Sequence, residues 1–182
     1  SNLRSCSKNT FLQSDYFKAY NAFLNSKELF SLLDEYDYEL IFYPHYEIQR
    51  FLSCFGSEHP RVKIADFEHN DVQELLIRCD ILVTDYSSVF FDFAYMRKPM
   101  VYFQYDDAAF RRDHYKEGYF IIPRDGFGEI AATQEAVVKA LRHILNNGLK
   151  PDQIYLDRMN AFFAFNDADN CKRNYEAIGR LL

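Results

Sequence analysis

The chain has no pair of cysteines in CxxC spacing: Cys6, Cys54, Cys79 and Cys171 stand far apart. That excludes a zinc knuckle and a dithiol redox motif. The usage fits an intracellular setting, with Cys54 and Cys79, both in apolar runs, expected as small buried hydrophobes. No two of the five histidines have HExxH-like spacing, so no metal site is expected. Positive charge is in short supply, with 21 basic against 27 acidic residues and a net charge of −6. Nucleic acid and anionic lipid, which need a clustered positive field, are therefore poor partners. No stretch approaches the ~20 apolar residues of a membrane span, and no signal peptide is expected, Ser1-Asn2 reading instead as a cloning remnant. Low-complexity linkers and internal repeats are missing. So are GxGxxG and Walker loops, which argues against ordinary dinucleotide and P-loop sites.

What the chain has is apolar mass: 48% hydrophobic residues, 18 Phe and 14 Tyr among 182 residues, with 26% charged residues to keep the surface wet. That suffices for one folded domain, at roughly 150 residues per domain. Phe11, Tyr16, Phe17, Tyr20, Phe23 and Leu24 recur at helical spacing, and Asn25 with Glu28 predicts a capping box for a second helix. A strand is predicted over 38–43, ended by Pro44, with a helical run from Glu47 through Phe51. Further strands are predicted over 61–65, 81–84 and 100–103, separated by a helix capped by Asn70 and a helix over 87–96. The latter is apolar except for Asp92, so it is predicted to lie in the core with Asp92 partnered by Thr84, Ser88 or a tyrosine. A short segment over 119–122, a turn at Asp125-Gly126-Phe127-Gly128, an amphipathic helix over 133–145 and two closing helices within 151–182 complete the chain. Short strands alternating with helices predict an α/β fold, a parallel Rossmann-like sheet flanked by helices.

Ligands of such sheets bind outside the carboxyl ends of the strands, and three of those ends are polar here. Thr84-Asp85-Tyr86-Ser87-Ser88 joins a strand to a helix, an arrangement suited to a phosphate, although on these residues alone a simple N-cap by Asp85 or Ser87 ranks ahead of it. Pro44-His45-Tyr46 offers an imidazole for a phosphate or a leaving group, or one merely bonded to a loop carbonyl. Gln104-Tyr105-Asp106-Asp107 precedes Arg111 and Arg112, which either clamp an anion or pair with neighbouring acids. His59, His69, His114 and His143 read as surface residues. A phospho-acceptor receiver domain, with Asp85 as acceptor, ranks low because Pro44-His45 stands where such domains collect further acids.

The run from Ile81 through Asp85, Ser87, Ser88 and Asp92 to Ala94, followed by Lys98-Pro99, Tyr105-Asp106, Gly118-Tyr119-Phe120, Asp125-Gly126-Phe127-Gly128 and the Asp167–Arg173 segment, resembles the CDP-glycerol glycerophosphotransferase family, the teichoic acid polymerases. The resemblance implies the C-terminal, donor-binding half of a GT-B architecture. It implies transfer of glycerol phosphate from CDP-glycerol to a hydroxyl of a lipid-linked teichoic acid or capsular acceptor, with release of CMP, and no metal or cofactor. It also implies cytoplasmic work, peripheral at the inner membrane face, with the acceptor held by a separate N-terminal domain. His45 matches the family's donor-contacting catalytic histidine. Ser87 and Ser88 match its phosphate-binding pair, Thr84 and Asp85 shape the pocket, Asp106 and Arg111 are further donor contacts, and Asp92 is structural. Residues 1–182 are expected as one nucleotide-donor domain, with 1–10 a tag or poorly structured remnant. Two departures stand out: Tyr46 replaces the proline that usually follows the histidine, and no Pro-Thr-x-Arg strand is recognisable in residues 1–10. The chain alone is accordingly expected to bind weakly and turn over nothing. The alternatives are CDP-ribitol or another CDP-activated polyol or sugar as donor, and a binding module that kept the fold without activity.

Overall fold

The computed structural model describes residues 6–106 and 119–181. Three helices come first: α1 (Lys8–Leu12), α2 (Asp15–Leu24) and α3 (Lys27–Tyr36). The chain then alternates through β1 (Leu40–Phe42), a 3-10 helix (Gln49–Cys54), β2 (Val62–Ile64), α4 (Val72–Arg78), β3 (Leu82–Thr84), α5 (Val89–Tyr95) and β4 (Met100–Phe103). After the second described stretch begins come α6 (Ile122–Asp125), β5 (Glu129–Ala131), α7 (Gln134–Asn146), α8 (Gln153–Phe162) and α9 (Asn170–Gly179). Every strand pairing is parallel: β1 with β2, and β3-β4-β5 in that order. The predicted α/β class holds.

Strand β4 shows why the sheet forms where it does. All four of its residues are at most 1% exposed, as expected of a parallel strand covered on both faces. Because side chains alternate across a strand, Val101 and Phe103 face one core, with α2, α3, α7, Phe42 and Val62. Met100 and Tyr102 face a second core, with Phe90 and Phe93 of α5, Phe127 and Met159. The first core also holds Phe11, which is fully buried and stacks on Phe51 at 4.2 Å between ring centroids. That contact anchors α1, so residues 8–10 are ordered helix rather than part of a remnant; the expectation failed because the anchoring residue lies just beyond the segment.

Several boundaries differ from the sequence expectation. The caps move by one residue: Ser26 Oγ accepts from Leu29 N, and Asp71 Oδ1 accepts from Gln73 N and Glu74 N. Asn25 instead ends α2, its side-chain amide donating to the Asn21 and Gly56 carbonyls. The run after β1 is a 3-10 helix, and β5 has no counterpart in the reading because only Ala131 of its three residues is buried. Asp92 is exposed, on the outer side of α5, so the idea of a core carboxylate needing a partner is wrong. Cys54 and Cys79 are half-buried rather than buried. His59 is not a surface residue: its ring stacks on Phe30 at 4.6 Å and bonds Asp34 at 3.2 Å.

Two residues of the resembling motifs have architectural roles. Lys98 Nζ donates to the carbonyls of Leu76, Ile77 and Cys79 at 3.0, 2.6 and 2.8 Å, placing a cation on the carboxyl end of α4, where the helix dipole favours it. Gly128 runs against β4, and a Cβ there would lie 2.1 Å from the Met100 carbonyl oxygen. That approach seats Phe127, fully buried, among Phe90, Phe91, Phe120, Phe162 and Phe163.

Candidate active site at the carboxyl ends of the strands

Helix α2 brings three strand ends together. The Tyr20 ring lies 5.4 Å from Phe42 at the end of β1, 5.6 Å from Phe103 at the end of β4, and 5.9 Å from Tyr105 just beyond it. Asp85, at the end of β3, faces the same tyrosines: its charge adds to burial in raising Tyr16, Tyr20 and Tyr105 far above the ordinary phenol value. These phenols therefore stay protonated and neutral throughout the physiological range. Tyr16 and Tyr20 figure in the sequence only as apolar-face residues of a helix. Nothing in their spacing marks them as the roof of a polar site.

The β3–α5 loop is built around Asp85. Its Oδ1 accepts from Tyr86 N at 2.7 Å and from Ser87 N at 3.2 Å, the local turn that an aspartate favours. The carboxylate thus occupies amides that the sequence reading offered to an anion, and its part is to shape the loop. What the loop leaves outward is hydroxyl. Ser88, exposed and at the N-cap of α5, makes no side-chain capping bond, and Ser87 beside it is half-buried. Thr84 is 6% exposed beneath them.

Tyr86 ties this loop to the end of β4 by donating its hydroxyl to Asp106 Oδ1 at 3.1 Å. Burial raises the Asp106 carboxyl above its ordinary value of 3.8, the charges of Asp85 and Asp15 push it further, and the Tyr86 bond opposes them. The sign follows from linkage: a carboxyl with a raised folded value makes the ionised form costly, so the penalty is absent in acid and accrues as pH rises from the ordinary value to the raised one. Asp106→Asn is therefore expected to stabilise the fold slightly near neutrality, by less than about 1 kcal/mol after solvent screening. The gain should vanish as pH falls toward the ordinary carboxyl value. Paired urea titrations across that range check this; a gain that grows in acid would contradict it.

His45 follows β1 and is exposed. Its hydrogen bonds lie within its own loop: Ile48 N donates to its carbonyl at 2.8 Å and Glu47 N to its Nδ1 at 3.4 Å. The Tyr46 ring lies 4.4 Å from the imidazole. Of the sequence-derived candidates, then, Thr84, Asp85, Ser87 and Ser88 lie in and beside the loop that the Tyr86–Asp106 bond ties to Asp106. His45 stands at a separate strand end joined to it through Phe42 and Tyr20. Arg111 lies outside the described residues.

A family model for CDP-glycerol:poly(glycerophosphate) glycerophosphotransferase matches residues 9–180. The chain belongs to this family. Among its relatives, the minor teichoic acid biosynthesis protein GgaB of Bacillus subtilis (strain 168) is 34% identical over 92% of this chain and 18% of its own length. The teichoic acid poly(glycerol phosphate) polymerase of Bacillus spizizenii is 30% identical over 78% of this chain and 35% of its own. The chain thus spans well under half the length of these glycerophosphotransferase-family relatives. The wall teichoic acid polymerase TagF superposes with a TM-score of 0.62 at 27% identity, covering 87% of this chain and 37% of the polymerase. A TagF variant soaked with CDPG gives 0.57 at 25% identity, over 86% of this chain and 39% of that one. Among the described residues of this family member, no helix is long and apolar enough to cross a membrane.

Proposed function

We propose that this chain is the donor-binding lobe of a CDP-polyol phosphotransferase that moves glycerol phosphate from CDP-glycerol to a hydroxyl of a lipid-linked teichoic acid or capsular acceptor, releasing CMP. The observation that carries the reading is the serine pair Ser87-Ser88 at the end of β3, with Ser88 exposed and making no capping bond, in a chain whose family model is for CDP-glycerol:poly(glycerophosphate) glycerophosphotransferase. In the reaction, the acceptor hydroxyl gives up its proton to solvent as its oxygen attacks the phosphorus that bears glycerol. The bond from that phosphorus to the bridging oxygen breaks, and CMP leaves with the electron pair. Such transfers demand little covalent chemistry from the protein, and positioning with charge neutralisation carries most of the rate.

In this reading the Ser87 and Ser88 hydroxyls donate to the diphosphate, Asp85 holds the loop that presents them, and His45 donates from across the site. His45 thereby stabilises the charge that develops on the departing phosphate. Arg111 is a further donor contact in the same scheme, and Asp106 acts by holding Tyr86. Because the relatives are much longer, acceptor binding and turnover belong to a longer protein, which works at the inner face of the membrane where a lipid-linked acceptor presents its end. The net charge of −6 makes this lobe a poor anchor in its own right.

The test is calorimetric titration of the protein with CDP-glycerol, CDP-ribitol and CMP. Binding of CDP-glycerol more tightly than CMP supports the reading, and a preference for CDP-ribitol changes the polyol but not the reaction class. Silence toward all three ligands would leave a fold without the activity and overturn it.

A further inference from the structure

Gln49 opens the 3-10 helix and is 8% exposed. Its Nε2 donates to the Pro44 carbonyl at 2.9 Å, while its Oε1 is buried with no hydrogen-bond partner among the described residues. An unpaired buried amide oxygen is a cost that an apolar side chain of the same length would avoid, so packing does not account for a glutamine at this position. What the amide accomplishes is to fasten the residue before His45 to a rigid part of the core, where Ile48 and Phe51 are buried alongside it.

The turn held this way has a chemical consequence. Ile48 N donates to the His45 carbonyl at 2.8 Å, Gln49 N donates to the Tyr46 carbonyl at 3.2 Å, and Glu47 N donates to His45 Nδ1 at 3.4 Å. A ring nitrogen that accepts from an amide does not carry the proton, so the proton of the neutral imidazole sits on Nε2. The Tyr46 side chain takes no part in these hydrogen bonds: it is 67% exposed and its hydroxyl donates to Glu47 Oε1 at 3.1 Å.

We infer that Gln49 is a positioning residue for His45: by holding the Pro44 carbonyl it sets the turn in which His45 accepts at Nδ1 and presents Nε2–H to an anionic ligand. It supplies the rigidity that a proline at position 46 would otherwise bring. Only the last step, the approach of the anion, rests on the donor-binding reading; the turn and the tautomer stand on this geometry.

The experiment uses ¹⁵N NMR of the His45 ring and hydrogen exchange of the Glu47 amide, in the wild-type protein and in Gln49→Met, followed by CDP-glycerol titrations of the wild type, Gln49→Met, His45→Ala and the double variant. The wild type is expected to show the Nε2-protonated ring and a protected Glu47 amide. Gln49→Met is expected to melt no lower than the wild type, to lose about tenfold of that protection, and to bind CDP-glycerol about tenfold more weakly. The double variant should bind no more weakly than His45→Ala alone, because Gln49 acts through His45. An Nδ1-protonated ring in the wild type overturns the inference whether or not the variant folds. So does an unchanged Glu47 amide in Gln49→Met, and so do additive losses in the double variant. Failure of the wild type to bind CDP-glycerol would count against the donor reading, while the ring and amide measurements still decide the role of Gln49.

Discussion

Gly128→Ala is expected to destabilise the protein by about 2–4 kcal/mol, a large share of the stability of an ordinary domain. The added methyl would meet the Met100 carbonyl oxygen at 2.1 Å, with the Met100 carbonyl carbon at 2.8 Å. The obstacle is therefore backbone, which cannot turn aside as a flexible side chain can. Met100 is 1% exposed in the central strand of its ladder, so relief must come from moving β5 and withdrawing Phe127 from the aromatic cluster around it. Displacing a packed aromatic of that kind approaches the cost of removing it. Gly56 is the internal control, since a Cβ there meets nothing within 4 Å. Gly56→Ala should change stability by less than about 0.5 kcal/mol. Urea unfolding of both variants checks the pair, and a Gly128→Ala protein as stable as the wild type would mean that β5 does not pack as described.

On the proposed reading, His45→Ala in a longer transferase that carries this lobe is expected to lower the rate of transfer from CDP-glycerol by about 10²–10³-fold, the usual worth of one hydrogen-bond donor aimed at developing charge. The fold should hardly notice, because the side chain is exposed and, among the described residues, hydrogen-bonded only within its own loop. Ser88→Ala should act more gently, at about tenfold, as one neutral hydrogen bond to a charged group is removed. Steady-state kinetics with thermal unfolding on the same samples separates chemistry from folding. Near-normal transfer by His45→Ala would reduce the histidine to a loop residue.

Much of the fold was legible because its signals are redundant. Strand β4 is a run of four large apolar residues bounded by Pro99 and Gln104, and it was read to the residue. Helix α7, with Thr133 at its cap and Asn147-Gly148 at its end, followed from periodicity and standard stop signals. The caps slipped where two suitable residues stand side by side, Asn25-Ser26 and Asn70-Asp71, since composition ranks them alike and only the backbone decides. Strand β5 was hidden because an edge strand with one buried residue leaves no alternation. Asp92 was misplaced because a helix of seven residues whose remaining side chains are all apolar still has an outer side.

The site divides along the same line. Strand ends are visible in sequence, so Thr84, Asp85, Ser87, Ser88, Asp106 and His45 could be named as candidates. Which of them touch is a tertiary matter: the Tyr86–Asp106 bond spans 20 residues, and Tyr20 joins β1 to β4 from a helix that reads as plain core. Gln49 is not legible in the sequence for a related reason, since its partner is a backbone carbonyl that no side-chain pattern reveals.

The account turns on whether a CDP-polyol sits at the ends of β1 and β3. Amide chemical-shift mapping during titration with CDP-glycerol addresses this most directly. The expected result is a set of saturable shifts centred on Ser87, Ser88 and Val89 and on His45 and Glu47, with α9 unaffected. Shifts centred elsewhere, for example on the surface groove between α3 and α7 lined by Ser31, Glu135 and Arg142, would contradict it, as would spectra unchanged by the ligand.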